Sequence, residues 1–446
     1  MEKDIQMSRR EFLKGVGMLG GGLLAATSPW MKTFADSDKT TGERLHLGII
    51  GPGSRGRFLM SFLCDNPKVE IVAIADLYQP SVDEALKMVP KAKVYHDYRQ
   101  LLDDKNVEAV LVATPLPTHC QIVLDAFDAG KHVYCEKTIG YTMDECKRMY
   151  DKHLQTGLIF FTGQQRLFDP RYIKAMKMVH DGVFGDITQV RAWWNRNNDW
   201  RREVPSKQIK LLNGSTVDGE HYINWRLYNA TSHGLMTELA CHQLQVGTWA
   251  MGKLPKKVMG DGALTFWKDG REVFDNIQTI YVFDDGRKMS WGSDIANKKY
   301  GLEEQILGSK GTVEPELGKF YFEDISPAPA FLQMVRDWEA KVFGGSAFAG
   351  TSWASETAGA DQGEYILGRM PDTDGTSLLT EAFVEAALQH KQPAGIAEEG
   401  YYASILCLWG NEALKAGTPL ELPEEYLIDY DVYGTKAQKT EPEQQS

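Results

Sequence analysis

The sequence predicts an α/β chain in two folded parts, a doubly wound parallel sheet followed by an α+β part on a large, mostly antiparallel open sheet. Three observations predict it. From about residue 45, short β-branched runs alternate with amphipathic stretches: HLGIIG, RGRFLMSFLCD, EIVAIAD, PSVDEALKMV, VEAVLVAT, THCQIVLDAFDAG, HVYCEK, MDECKRMYDKHLQTG and IFFTG. Buried parallel strands read as such continuous apolar runs, joined by helices of period 3.6. Second, the turn between the first strand and the first helix is glycine-rich, Gly51-Pro52-Gly53-Ser54-Arg55-Gly56. Third, after Asp169 the texture changes to alternating strands (ITQVRAWWN, KKVMGDGALTF, NIQTIYVFDDGRKMSWGSD, EEQILGSKGTVEPELGKFYF), with Asp285-Gly286 as a hairpin signal and Gly318-Lys319 as a second turn.

The bulk numbers agree with two cores. At 446 residues the chain exceeds the ~150 of a typical domain, and a net charge of -12 repels phosphate backbones and anionic lipid, so nucleic acid is not an expected partner. Ser8-Arg9-Arg10-Glu11-Phe12-Leu13-Lys14 fits the twin-arginine pattern, and Thr33-Phe34-Ala35 offers small residues for cleavage. Residues 1–35 therefore read as a removable signal, and the mature protein as periplasmic. The alternative, a membrane anchor, has an uncharged run of 17 residues with five Gly, short of the ~20 apolar residues of a spanning helix; no stable anchor is expected. Cys64, Cys120, Cys135, Cys146, Cys241 and Cys407 form no C-x-x-C pair and read as buried free thiols.

The expected domains are residues 36–166 for the parallel-sheet part and 167–434 for the second part, with a polar tail at 435–446. Two long helices near TSLLTEAFVEAALQH and EEGYYASILCLWGNEALKAG close the fold and pack back toward the first domain. Residues 344–375, rich in Gly, Ser and Asp, show neither period and are either functional or disordered.

Gly51, Gly53 and Gly56 fit G-x-G-x-x-G between a strand and a helix, and Asp76 closes the next strand 20 residues past Gly56. This is the dinucleotide fingerprint of a Rossmann domain: a tight turn at Gly51, close backbone approach at Gly53, helix–strand contact at Gly56, and a helix N-terminus beginning at Ser54. Asp76 would accept from the adenine-ribose hydroxyls and repel a 2′-phosphate, which favours NAD over NADP; its other reading is a helix N-cap. Arg55 either stacks on adenine, holds phosphate, or is solvated.

Val112-Ala113-Thr114-Pro115, His119 and Gly130-Lys131-His132-Val133-Tyr134-Cys135-Glu136-Lys137 resemble the Gfo/Idh/MocA oxidoreductases. GLMTELACHQLQVGTWAMG and ILGSKGTVE are similar to that family's substrate-side helix and late hairpin. The resemblance implies that Thr114, Pro115, His119, Glu136 and Lys137 border the nicotinamide, with Lys137 between it and the reacting hydroxyl. It also implies a homo-oligomer formed through the C-terminal sheet. Thr138 stands where the family has Pro. Chemistry suits Lys137, because a cation there stabilises the alkoxide; its other reading is a salt bridge to Glu136. Glu238 and His242, four apart on an expected helix, share a face. The imidazole is the expected base, and the carboxylate orients it or joins substrate binding. His233, Glu238 and His242 match no familiar ligand spacing, so no metal is expected.

WWNRNNDWRREV and YINWRLYN gather Trp, Asn and Arg outside clear apolar periods. Aromatic faces against C–H surfaces and planar groups against paired hydroxyls suit a carbohydrate, with Trp200, Arg201, Asn224, Trp225 and Arg226 as candidates; packed Trp residues and an oligomer interface are the other readings. The expectation is a sugar oxidoreductase that oxidises a ring hydroxyl, C3 favoured, with a tightly bound and internally recycled NAD. Two alternatives stay open: an NAD-dependent glycoside hydrolase or lyase using transient C3 oxidation, and a non-catalytic nucleotide and sugar binder.

Overall fold

The structure, a computed structural model, describes residues 44–323, 341, 363–367 and 374–429. The expected signal at 1–35 and the tail at 435–446 lie outside the described residues, as does most of the 344–375 stretch.

The first domain carries β1 (Leu45–Ile50), α1 (Ser54–Cys64), β2 (Val69–Ala75), α2 (Gln79–Met88), β3 (Lys93–Tyr95), α3 (Tyr98–Asp103), β4 (Ala109–Val112), α4 (His119–Asp128), β5 (His132–Cys135), α5 (Met143–Thr156) and β6 (Phe160–Thr162). The sheet is parallel with order β3-β2-β1-β4-β5-β6. The order reverses between β1 and β4, and a crevice opens there at the carboxyl ends of the strands. β4 and β5 are buried along their whole length, as continuous apolar runs require. Local chemistry sets the ends of α5: Thr142 and Glu145 form a reciprocal capping box, and Gly157 closes the helix in the left-handed conformation.

The second domain begins with α6 (Pro170–His180), capped by Asp169 with Pro170 in its first turn. Then come β7 (Ile187–Trp194), the hairpin β8 (Gln208–Lys210) and β9 (Thr216–Asp218), the short α7 (Gly219–Ile223), a π-helical turn Met236–Ala240 running into α8 (Cys241–Met251), and strands β10 (Lys257–Ala263), β11 (Asn276–Val282), β12 (Lys288–Asp294), β13 (Leu302–Gly308), β14 (Gly311–Glu314) and β15 (Lys319–Phe322). β16 (Glu364–Tyr365), α9 (Thr376–Gln389), α10 (Ile396–Ala416) and β17 (Leu420–Glu421) complete it. The nine-stranded order is β16-β15-β14-β13-β7-β12-β11-β10-β17. Its pairs are antiparallel except β7 with β12. Asp285-Gly286 turns β11 into β12 and Gly318 turns β14 into β15, each glycine at positive φ. Within the stretch read as having no period, Glu364 and Tyr365 pair with β15.

One sheet face is covered by α8 and α10. On β11, Ile277, Thr279 and Tyr281 are buried, while Gln278 and Ile280 are exposed on the other face. α10 is buried nearly all round, because it lies between β10 and α8 on one side and α5 and β6 on the other. α9 packs on α1 and β1. These two helices bring α8, with Glu238 just ahead of it and His242 in its first turn, to the mouth of the parallel sheet. Among the described residues, no helix is long and apolar enough to cross a membrane.

Candidate active site

A cleft of about 1390 Å³ runs from the glycine-rich loop to α8 and joins the two domains. At its first end the three glycines do different work. Gly51 has φ of +84°, and a Cβ there would lie 2.7 Å from Thr114 Cγ2; at Gly56 a Cβ would lie 2.5 Å from the Gly51 carbonyl oxygen. At Gly53 a Cβ would meet nothing within 4 Å. The first and third glycines are needed by the fold, and the second leaves open space beside the N-terminus of α1. That is the cradle a dinucleotide pyrophosphate fits.

Asp76 follows β2 and lines the cleft. Its Oδ1 accepts from the Tyr78 amide at 2.8 Å in a local turn; the N-cap of α2 is Tyr78, with no side-chain cap, so Asp76 is not that helix's N-cap. Burial pushes its carboxyl up to about 6, against the amides of Tyr78 and Leu77 and the Arg57 charge. Thr114 and Pro115 follow β4 and line the cleft. His119 lies beneath them, with Nε2 2.8 Å from the Thr114 carbonyl and Nδ1 3.0 Å from the Thr138 carbonyl; burial lowers its pKa, and the neutral ring donates to one of the two at a time.

Arg55 neither lies free in solvent nor stands alone. Its Nε donates to Glu136 Oε1 at 2.8 Å, because the Glu136 carboxylate, 5% exposed, needs a counter-charge. The pair borders the cleft as a unit. Consequently Lys137 is not the salt-bridge partner of Glu136. Its Nζ turns toward the second domain, donating to the Glu238 carbonyl at 2.8 Å and the Thr237 carbonyl at 3.4 Å. Those carbonyls belong to the π-helical turn, whose wider winding leaves main-chain oxygens available. Thr138 Oγ1 donates to the Thr237 carbonyl at 3.0 Å, and the Lys137–Thr138 peptide is cis.

Glu238 does not orient His242. Its Oε2 accepts from Arg226 Nε at 2.7 Å. Burial opposes its charge, but Arg226 and Lys137 outweigh this and hold the carboxyl below its usual value. His242 lines the same cleft with its ring 5.8 Å from Trp194. Its Nδ1 is buried without a partner. Burial, then the charges of Lys137, Arg166, Arg55 and Arg196, drive its pKa well down, so the imidazole is neutral. His233 is elsewhere, stacked on Tyr141 with Nε2 2.9 Å from its carbonyl. Among the described residues, no group of three His, Cys, Asp or Glu side chains could hold a metal ion.

The five carbohydrate candidates divide. Trp200, Trp225 and Arg226 line the cleft, Trp200 in a left-handed backbone conformation with φ of 58°. Arg201 also lines it, but its guanidinium is taken by Asp269 and Glu220. Asn224 does not line it: the side chain is 2% exposed and clamps the Arg202 main chain. A buried amide must satisfy donor and acceptor locally, and no sequence pattern distinguishes that role from ligand binding. Trp194, Arg196, Arg202 and Tyr222 were not singled out and all line the cleft. The only signal for the first three was their place in the WWNRNNDWRREV stretch.

Comparison with known proteins follows the same division of the chain. The family model described as "Oxidoreductase family, NAD-binding Rossmann fold" matches residues 45–164, and "GFO/IDH/MocA C-terminal domain" matches 172–314. A myo-inositol 2-dehydrogenase of Thermotoga maritima is 24% identical, over 60% of this chain and 74% of its own. A glycosyl hydrolase family 109 protein of Stenotrophomonas maltophilia is 28% identical, over 43% of each, so this chain spans less than half of that relative's length. A levoglucosan dehydrogenase solved with NADH and levoglucosan superposes with a TM-score of 0.62 at 18% identity, over 86% of this chain and all of that one, which shows a shared fold.

Proposed function

The chain belongs to the Gfo/Idh/MocA oxidoreductase family, and from that premise we propose that it oxidises a ring hydroxyl of a sugar or glycoside, C3 favoured, with a tightly held NAD restored within each turnover. The observation that carries this reading is convergence: Lys137, the neutral His242 and the Arg226–Glu238 pair open into one cleft with the glycine loop and Asp76. The open space over Gly53 and the carboxylate of Asp76 fit the pyrophosphate and ribose of NAD. Bound there, NAD supplies the two-electron acceptor for the carbinol carbon.

The chain's own residues handle the proton. Lys137 Nζ, aimed by two carbonyls, stabilises the substrate oxygen as its proton leaves. His242 takes that proton. Because the imidazolium then stands among cations, it gives the proton back readily when the hydroxyl is re-formed, as a closed cycle requires. Trp194, Trp200 and Trp225 offer apolar faces and Arg226 a planar donor, the mixture that recognises a sugar ring.

The match to a glycosyl hydrolase family 109 protein favours a second outcome from the same first step. With C3 a ketone, the C2 proton becomes acidic; its loss expels the glycosidic oxygen, which leaves protonated as the alcohol, water then adds its hydroxyl at C1 as a proton returns to C2, and re-reduction at C3 restores the ring, giving net hydrolysis without net redox change. The twin-arginine motif at Ser8–Lys14 supports export to the periplasm, where no pool replaces spent NADH, and that is why the cofactor must be captive. The exposed sheet face bearing Gln278 and Ile280 is the proposed contact between copies.

Purified protein should release NAD(H) on denaturation, and nicotinamide absorbance should change when it is mixed with glycosides or 3-oxo-glycosides. Nucleotide with no spectral change toward any sugar would leave a binder instead. Product analysis on α- and β-glycosides, keto-sugar against free sugar, separates the two enzymatic outcomes.

A further inference from the structure

The chain from Asp199 to Asn224 crosses from the second domain over the glycine-rich loop of the first, and its centre is fixed. Asn224 Oδ1 accepts from the Arg202 amide at 2.7 Å, and its Nδ2 donates to the Arg202 carbonyl and to Glu220 Oε2, each at 3.1 Å. Arg201 is tied to Glu220 and Asp269. Arg271 is tied to Asp269 and donates to the Asp199 carbonyl at 2.6 Å. These neighbouring charges satisfy one another.

Arg202 is the exception. It forms no ion pair among the described residues; its Nη1 reaches across the cleft to Ser54 Oγ at 3.5 Å. The residue is exposed at the cleft edge; partial desolvation and the nearby Arg226 charge lower its pKa, against the Glu238 carboxylate. Ser54 is the first residue of α1, beside the open space over Gly53. A guanidinium on the facing wall is the group suited to bidentate contact with phosphate oxygens. The same segment touches the first domain again at the ribose corner: Leu212 N donates to the Leu77 carbonyl at 2.9 Å, and Tyr222 packs edge-on against Tyr78.

We propose that Arg202 is a phosphate-binding residue contributed by the second domain, closing over the pyrophosphate of the dinucleotide and slowing its escape. This rests on the captive-cofactor reading and gives it a residue. The segment bearing Arg202 is pinned at Asn224 and at Leu77, so the main chain that carries the guanidinium is held before the nucleotide arrives.

The test uses the full chain: protein freed of nucleotide by unfolding and refolding is probed with ADP-ribose and adenosine, and loaded protein gives the release of bound NAD(H) as a rate. Arg202→Ala should weaken ADP-ribose about tenfold and leave adenosine unchanged, Arg202→Lys should fall between, and NAD(H) should leave the alanine variant about tenfold faster. Added salt should speed release from the wild type more than from the variant. Equal ADP-ribose affinity in wild type and Arg202→Ala would overturn the assignment, as would a loss of adenosine binding of the same size, which marks a fold defect. If wild-type NAD exchanges freely while Arg202→Ala still weakens ADP-ribose, the captive reading fails and the Arg202 assignment stands. A wild type that binds neither probe overturns both.

Discussion

Arg226 Nε donates to Glu238 Oε2 at 2.7 Å, with the guanidinium carbon 4.1 Å from the Trp225 ring centroid. The carboxylate is thus drawn sideways, and its charge survives burial because Arg226 and Lys137 flank it. Arg226→Ala should cost about 2 kcal/mol near neutral pH, below the ~3–5 of a fully buried pair because the Arg226 side chain stays 29% exposed. The folded pKa of Glu238 is depressed, so this stability is present above the unfolded carboxyl value of ~4.3 and is lost as pH falls through the lower folded value. Thermal unfolding across a pH series should show the gap between wild type and variant shrinking in acid. A gap that does not change with pH would mean the loss is packing against Trp225 alone.

Asp76 works against the stability of the nucleotide-free protein. Its carboxyl rises to about 6 from 3.8, so the folded state holds a proton the unfolded chain has released. The favourable contribution is complete below 3.8 and is lost as pH rises through about 6. Asp76→Asn keeps the Oδ1 acceptor for Tyr78 and should stabilise the nucleotide-free protein at neutral pH by about 1–2 kcal/mol, with no gain near pH ~4. The same substitution should weaken NAD and improve tolerance of NADP, because the repulsion of a 2′-phosphate is gone. Melting curves with and without each nucleotide read both effects; an Asn variant that is destabilised at neutral pH contradicts the argument.

Gly53 and Gly56 should separate binding from folding. A Cβ at Gly53 meets open space and one at Gly56 meets the Gly51 oxygen at 2.5 Å. Gly53→Ala should therefore melt within about 0.5 kcal/mol of wild type yet lose NAD, whereas Gly56→Ala should lose about 1–3 kcal/mol as helix and turn are pushed apart. Equal melting of the two variants, or unimpaired NAD binding by Gly53→Ala, would show that the space over Gly53 is not the cradle.

The parallel sheet was legible because each of its strands is a short apolar run with its own punctuation, and the glycine pattern fixed where the crevice opens. The antiparallel half was legible where turns are spelled out, at Asp285-Gly286 and Gly318. The side-chain pairings were not. Residue type offered Arg55, Arg201 and Asn224 as ligand contacts, but it did not show the protein partner each one has: Glu136, Asp269 and the Arg202 main chain. Helical spacing put Glu238 beside His242, but it carries no account of Arg226, twelve residues earlier, which holds the carboxylate. Buried charges choose partners in three dimensions, so a sequence can name the polar groups of a cleft without saying which remain free.

Lys137 and His242 make the final prediction, because their roles differ although they share a cleft. Lys137→Met removes the group that steadies the oxygen and should slow the first oxidation by about 10²–10³-fold. His242→Gln removes the proton acceptor and should slow it by about 10²–10⁴-fold; both variants should retain NAD. In the wild type, burial and surrounding cations keep the imidazole unprotonated, so the rate of nicotinamide reduction in a single turnover should be flat between about pH 6 and about pH 8 rather than falling through ~6.5, the value of an ordinary histidine. Rapid mixing at a series of pH values measures this directly. A decline centred near ~6.5 that disappears in His242→Gln would keep His242 as the base and reject its environment, whereas full activity in His242→Gln would move the proton to another group.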